Sequence, residues 1–281
     1  MTDPVHNQAL DGTSVRGMRP EDRFWLSSAA AVVSVAALGS LLWLLPGSPV
    51  TLWRADAALG TQDAGQAVAL YDDVGNNGWW TGLRTTALRR AAAVYATELA
   101  QPEEARERLE HLLALTRDSA DRAVLRERIA SLYLDERDLD SAVRSYVSAV
   151  AADPSAPDAG RRLVQAARLA NEAGQVELST ELWERVIAEY PQHTVTARLA
   201  QARRALRDGR PQKAHALFAM ALDGDGTADQ HAAARLGVAT CLERLGSLDE
   251  AIAEIDLVDL PDEIRETRLD ALRNRREQVE R

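Results

Sequence analysis

A pair of short amphipathic segments separated by a polar turn constrains this chain more than any other feature. In residues 123–154, apolar and small side chains recur every three or four positions on either side of a charged break at residues 135–140. This is the spacing of one face of an α-helix. Asp138 stands where a second helix needs an N-cap, and Pro154 follows as a stop. The segment therefore predicts a helical hairpin.

The hairpin recurs along the chain at a nearly constant interval. Its marker is a small residue in the second helix, which falls at Ala67, Ala105, Ala142, Ser179, Ala214 and Ala251. The steps are 38, 37, 37, 35 and 37 residues. Four positions later the residue is large, at Tyr71, Leu109, Tyr146, Trp183, Phe218 and Ile255. The turn between helices has a glycine, which tolerates a left-handed helix end, at Gly174, Gly209 and Gly246. These repeats predict an array of stacked hairpins.

The residue types at these positions resemble those of the tetratricopeptide repeat family. In the third unit the matching residues are Ala130, Tyr133, Ala142, Tyr146 and Pro154. The resemblance implies an all-α solenoid of about six helical hairpins over residues 47–261. It also implies protein or peptide binding on the concave face, without a cofactor.

An uncharged stretch precedes the repeats. Residues 24–45 carry no charged side chain, and their number matches the ~20 apolar residues that cross a bilayer. We interpret residues 24–46 as a transmembrane signal anchor. A cleaved signal peptide fits less well, because the apolar run is long and no clear Ala-x-Ala site follows. Residues 1–23 are polar and lack helical periodicity, so we expect a disordered cytoplasmic tail.

The charges that flank this stretch predict its orientation. Arg16, Arg19 and Arg23 precede it, whereas Arg54 alone follows closely. The positive-inside rule places the N-terminus in the cytoplasm. We therefore expect a single-pass protein of the inner membrane with its repeats in the periplasm; the reverse orientation stays open.

Composition and motifs argue against several other functions. The net charge of −10 disfavours general nucleic-acid binding. Cys241 is the only cysteine, and the five histidines are scattered, so we expect no metal site. No nucleotide-binding or hydrolase motif occurs. We accordingly predict no catalytic residue and no cofactor.

A row of side chains on the first helix of each hairpin predicts the partner-binding surface. The family's groove-facing register selects Arg90, Arg128, Arg161, Arg168, Asn171, Arg203, Arg207 and Arg244, together with Glu127. An arginine-rich groove suits carboxylates of a peptide or a protein tail. Alternatively, these arginines pair with neighbouring glutamates on the same helices, such as Glu127 and Glu243.

Two further segments carry specific expectations. Residues 262–281 predict a C-terminal capping helix that turns Ile264, Leu269, Leu272 and Val279 inward. Near the start of the repeats, Trp79 and Trp80 follow a turn signal. They either pack against the second repeat or contact a partner or the membrane surface.

These features together predict a membrane-anchored interaction scaffold or chaperone-like adaptor in the cell envelope. Its layout is similar to that of the single-span repeat proteins that attend the secretory translocon. The partners would be proteins or peptides, with the lipid bilayer contacted through residues 24–46. Three alternatives stay open: a self-assembling structural module, a cytochrome-maturation adaptor and a cytoplasm-facing adaptor.

Overall fold

The structure, a computed structural model, describes residues 46–259 and 261–280. Within these ranges it contains thirteen α-helices, one 3₁₀ turn at Pro191–His193 and no strand. The helices are α1 (Pro49–Gly60), α2 (Ala64–Asn77), α3 (Thr81–Thr97), α4 (Pro102–Leu115), α5 (Ser119–Asp135), α6 (Leu139–Ala152), α7 (Ala159–Glu172), α8 (Val176–Glu189), α9 (Thr194–Arg207), α10 (Pro211–Leu222), α11 (Ala228–Leu245), α12 (Leu248–Asp256) and α13 (Asp262–Glu280). The predicted all-α class is confirmed for this part of the chain.

The chain divides into two compact units, the first ending at Arg90 and the second beginning at Ala91. The predicted tail at residues 1–23 and the predicted anchor at residues 24–46 lie outside the described residues, apart from Pro46. Among the helices that the structure describes, none has both the length and the apolar character needed to cross a bilayer.

Helix starts follow the capping residues that the sequence supplies. Asp138 caps α6, and its carboxylate Oδ1 accepts a hydrogen bond from the Ser141 N–H at 3.0 Å. Pro102 and Pro211 occupy the first position of α4 and α10, where a missing N–H leaves no helical bond unmade. The cap at Asp138 and the bounds of α5 and α6 confirm the predicted hairpin in residues 123–154.

Each hairpin turn contains one residue in the left-handed region, five positions before the small marker residue. In the last three hairpins it is the predicted glycine, with φ between +71° and +88°. In the first three hairpins the equivalent residues are Gln62, Ala100 and Arg137, with φ of +63°, +51° and +60°. The backbone geometry thus repeats in all six turns, although only half of them use the residue that adopts it without strain.

The marker residues are buried in all six hairpins. The five alanines among them have no exposed surface, and Ser179 retains 5%. In the second unit the helices pair as α5–α6, α7–α8, α9–α10 and α11–α12. Their buried side chains form two hydrophobic clusters, one from Ala130 to Ala197 and the other from Val195 to Leu272.

Two of the four residues predicted to face inward on α13 are exposed in the structure. Leu269 and Leu272 are buried as predicted, but Ile264 is 50% and Val279 is 76% exposed. The partner helix α12 has nine residues and α13 has nineteen, so α13 extends well beyond it. Ile264 also lies roughly 140° around the helix from Leu269, given about 100° per residue. The inward face is therefore limited to the middle of α13.

A cationic groove between two hairpins

Four of the eight predicted groove residues form hydrogen bonds or ion pairs within the protein: Arg90, Arg161, Asn171 and Arg244. Arg90 contacts Asp56 at 2.5 Å in the first unit. The buried Tyr71 hydroxyl donates to the same carboxylate, also at 2.5 Å. Burial and this hydrogen bond raise the pKa of Tyr71 to about 12. Arg90 thus helps to join α1, α2 and α3 in a structural cluster.

Arg161 has a similar structural engagement between α5 and α7. It donates to Glu127 at 2.7 Å, and Arg162 donates to the other oxygen of that carboxylate, also at 2.7 Å. Arg162 is almost fully buried. Burial alone would raise the pKa of Glu127, but hydrogen bonds from Arg162 and Arg161 outweigh it and lower that pKa. Glu127 therefore pairs with arginines of another helix, whereas the alternative interpretation placed such pairs along one helix.

Of the other six predicted residues, two lie elsewhere on the second unit and four line one groove. Arg244 donates to the Leu206 carbonyl at 2.7 Å, which joins α11 to the end of α9. Arg128 is exposed on α5. The other four, Arg168, Asn171, Arg203 and Arg207, line one groove in the second unit.

This groove has a volume of about 810 Å³. That lies within the ~300–1,000 Å³ of typical ligand sites. Its walls come from the end of α7, from α8 and α9, and from the starts of α10 and α11. The sequence register did not identify Arg204, Arg210 and Lys213, which also line it.

The groove lies where the stacking of hairpins is less tight. Helices α8 and α9 pack less extensively than α6 and α7 or α10 and α11, and the 3₁₀ turn at Pro191–His193 separates them. The two hydrophobic clusters of the second unit also meet at this point. The sequence carries one sign of the change, because the step from Ser179 to Ala214 is 35 residues whereas the steps on either side are 37.

The groove carries a local positive charge on an acidic protein. Its lining includes six cationic side chains and three acidic ones, Glu184, Asp208 and Asp229. Arg204 is neutralised, because its Nε donates to Asp208 at 2.9 Å and its Nη1 donates to Asn171 Oδ1 at 3.1 Å. The other five cations form no ion pair or side-chain hydrogen bond with the residues that the structure describes: Arg168, Arg203, Arg207, Arg210 and Lys213.

Apolar side chains and neutral donors complete the lining. Trp183, Leu199 and Leu217 contribute apolar surface, and Thr180 and Gln201 contribute polar groups. Unpaired guanidinium groups bind carboxylates through two parallel hydrogen bonds. The arrangement is therefore suited to a ligand that has both acidic and apolar groups. Among the described residues, no three His, Cys, Asp or Glu side chains are placed to hold a metal ion.

Comparison with known family models supports the predicted resemblance. The tetratricopeptide repeat model matches residues 127–194 and 199–261 of this chain. The groove is lined by residues of both matched segments. A search of the curated proteins gave no match.

Several solved structures are similar to the chain at low sequence identity. MamA is 18% identical with a TM-score of 0.41, over 60% of this chain and 92% of its own. PilW, described as a type IV pilus biogenesis factor, is 20% identical with a TM-score of 0.41, over 74% of this chain and 90% of its own. YrrB, described as a repeat protein with an unusual peptide-binding site, is 17% identical with a TM-score of 0.40, over 62% of this chain and 84% of its own.

Proposed function

We propose that this protein is a membrane-anchored interaction scaffold that binds an acidic segment of a partner protein in the groove between α7 and α11. The observation that carries the proposal is the set of five cationic side chains that line one groove and have no partner within the described part of the chain. Tetratricopeptide repeats are a protein-interaction module, and the groove lies within the matched segments.

The lining of the groove favours a partner segment that has carboxylates and, next to them, an apolar side chain. Arg203 and Arg207 lie one helical turn apart on α9 and repel each other when no anion is present. A carboxylate between them removes this repulsion and forms charge-assisted hydrogen bonds. Trp183 and Leu217 offer apolar contact to a neighbouring side chain of the same segment. The ligand class is thus an acidic peptide segment with at least one apolar residue.

The membrane location completes the proposal. The uncharged residues 24–45 would anchor the chain in the inner membrane, and the arginines before them favour repeats in the periplasm. A tethered scaffold meets envelope partners at a raised local concentration. This layout is similar to that of the repeat proteins that attend the secretory translocon, and the proposed role is the capture of a partner rather than catalysis.

Lys213 provides a specific test because it is the only lysine in the chain and it lines the groove. Membranes that contain the full chain would be treated with a carbodiimide, which joins amines to carboxylates that lie in contact. Mass spectrometry would then locate the new amide bonds. The expected product joins Lys213 to an Asp or Glu of another polypeptide.

Lys213→Arg is the matched control, because it keeps the charge but removes the reactive amine. The adduct should disappear in this variant. Adducts that are unchanged in Lys213→Arg, or that join Lys213 only to carboxylates of its own chain, would contradict binding in the groove. An adduct to a second, isotopically labelled copy would replace the proposal with the self-assembling alternative.

A further inference from the structure

The point at which the polypeptide enters the first unit is fixed against the end of α2. The Gly47 N–H donates to Asp73 Oδ2 at 3.0 Å, and Ser48 is completely buried where it caps α1. Gly47 has a φ of +71°, and a Cβ there would lie 2.5 Å from the Asn77 carbonyl oxygen and 2.8 Å from the Gly78 nitrogen. Only glycine fits so close to another backbone segment. Residues 47 and 78 therefore adjoin.

Two exposed indoles directly follow this contact. Trp79 is 41% exposed and Trp80 is 58% exposed, and their rings meet edge to face with centroids 6.2 Å apart. The turn that carries them is fixed on both sides. The Gly78 N–H donates to the Val74 carbonyl at 2.8 Å, and the Trp80 carbonyl accepts from the N–H of Leu83 and of Arg84. The pair is thus held in place without being buried.

Chain length sets how far this pair lies from the uncharged stretch. Pro46 alone separates residue 45 from Gly47. Two residues span at most about 7 Å, and Trp79 is one residue beyond Gly78. The headgroup layer of a bilayer is roughly 5–8 Å thick on each side of the hydrocarbon core. If residues 24–45 cross the bilayer, the end of α2 and its two indoles therefore lie at headgroup depth.

We propose that Trp79 and Trp80 insert into the lipid headgroup layer and form a second membrane contact of the first unit. This inference rests on the proposed membrane anchor. The indole ring has an apolar body and one N–H donor, which suits the boundary between hydrocarbon and water. Together with the anchor, the pair would give the first unit two membrane contacts. Two contacts fix the orientation of the unit relative to the bilayer, whereas one contact does not.

A fluorescence experiment on the full chain in phosphatidylcholine–phosphatidylglycerol vesicles tests this contact. In a Cys241→Ala background, Thr81→Cys would carry an environment-sensitive nitrobenzoxadiazole label beside the tryptophan pair. Gln66→Cys is the matched control, because it is exposed in the first turn of the same helix α2. It lies about 17 Å from Asn77, at about 1.5 Å per residue.

We expect spin-labelled lipids to quench the label at position 81 at least twice as strongly as the label at position 66. Trp79→Ser with Trp80→Ser should remove this difference. Equal quenching at both positions, in protein that still resists carbonate extraction, would overturn the tryptophan contact and leave the anchor intact. Release of the protein by carbonate would overturn the anchor and this inference together. Energy transfer between labels on separate copies, without lipid quenching, would assign the indoles to self-association and also overturn the inference.

Discussion

Two arginine-rich regions of the second unit differ in how their charges are satisfied. Between α5 and α7, Arg161 and Arg162 share the carboxylate of Glu127; Arg162 is buried, whereas Arg161 is about half exposed. In the groove between α7 and α11, Arg168, Arg203 and Arg207 have no partner among the residues that the structure describes. The same helical register predicted Arg161 and the groove arginines alike. The comparison shows that register predicts which side chains share a surface, whereas pairing across helices decides which of them are left to bind another molecule.

The largest expected effect concerns the paired region. Glu127→Gln leaves the buried guanidinium of Arg162 without a charged partner. We expect the free energy of unfolding to fall by about 3 kcal/mol, at the lower end for the loss of one partner from a buried ion pair. Urea denaturation of the full chain in detergent measures this change. Glu189→Gln, which removes an exposed i,i+4 pair with Arg185, should cost no more than about 0.5 kcal/mol. Equal losses in the two variants would contradict the structural role of the Glu127 cluster.

The same cluster predicts a dependence of stability on pH. The folded-state pKa of Glu127 is lowered, because hydrogen bonds from Arg162 and Arg161 outweigh the opposing effect of burial. Its contribution is therefore present above the unfolded-state pKa of about 4.3 and is lost as pH falls through the folded-state value. Thermal unfolding between pH 7 and pH 3 should show a smaller decline in Glu127→Gln than in the wild type. Parallel pH curves would mean that this carboxylate does not contribute.

Substitutions in the hairpin turns of the two regions should change the free energy of unfolding by a smaller amount. The turn before α6 has Arg137 at a φ of +60°, whereas the turn before α10 has Gly209 at +71°. Arg137→Gly should raise the free energy of unfolding by about 1 kcal/mol, because glycine adopts positive φ without strain. Gly209→Ala should lower it by a similar amount.

Ala216→Gly is the control for the turn variants, because it lies on the exposed side of α10 and should cost about 1 kcal/mol as an ordinary helical substitution. Thermal unfolding of the three variants and the wild type measures these changes in stability. A loss of stability in Arg137→Gly would show that the arginine side chain contributes more than the backbone geometry costs.

The smallest effect is expected in the groove itself. Arg203 and Arg207 are like charges at i and i+4 on α9. Arg203→Ala should leave the free energy of unfolding unchanged or raise it by about 0.2–0.5 kcal/mol, because it removes this repulsion. Urea denaturation beside Glu127→Gln gives the contrast directly. A loss above about 1 kcal/mol would assign Arg203 a structural role and weaken the proposed binding site.

The regular part of this molecule was predictable because it repeats. The spacing of Ala142 and its equivalents, the cap at Asp138 and the glycine turns all follow from local rules that one sequence displays. The left-handed residues Gln62, Ala100 and Arg137 were not predicted, because their side chains do not mark such a conformation. Their offset of five residues from the marker positions was the available signal.

The groove was predictable only in part. Four of its residues follow from the helical register, but its location depends on the reduced packing between α8 and α9. That packing is set by long-range contacts rather than by any local pattern. Lys213 and Arg210 were missed because they lie at the start of the second helix of their hairpin, which the register does not place in the groove. The exposure of Val279 was missed for a related reason, since it depends on the short length of α12.

The most direct test is a binding measurement that compares the unpaired groove arginines with an internally paired arginine. The probe is a fluorescein-labelled peptide of alternating glutamate and leucine, titrated with the full chain in detergent and followed by fluorescence anisotropy. Arg168→Glu with Arg203→Glu should weaken binding at least tenfold, since each charge-assisted hydrogen bond contributes about 1.5–3 kcal/mol. Arg185→Ala, which removes an internally paired arginine, should leave the affinity unchanged. Equal affinities for the wild type and the groove variant would contradict the claim that the unpaired cations form the binding site.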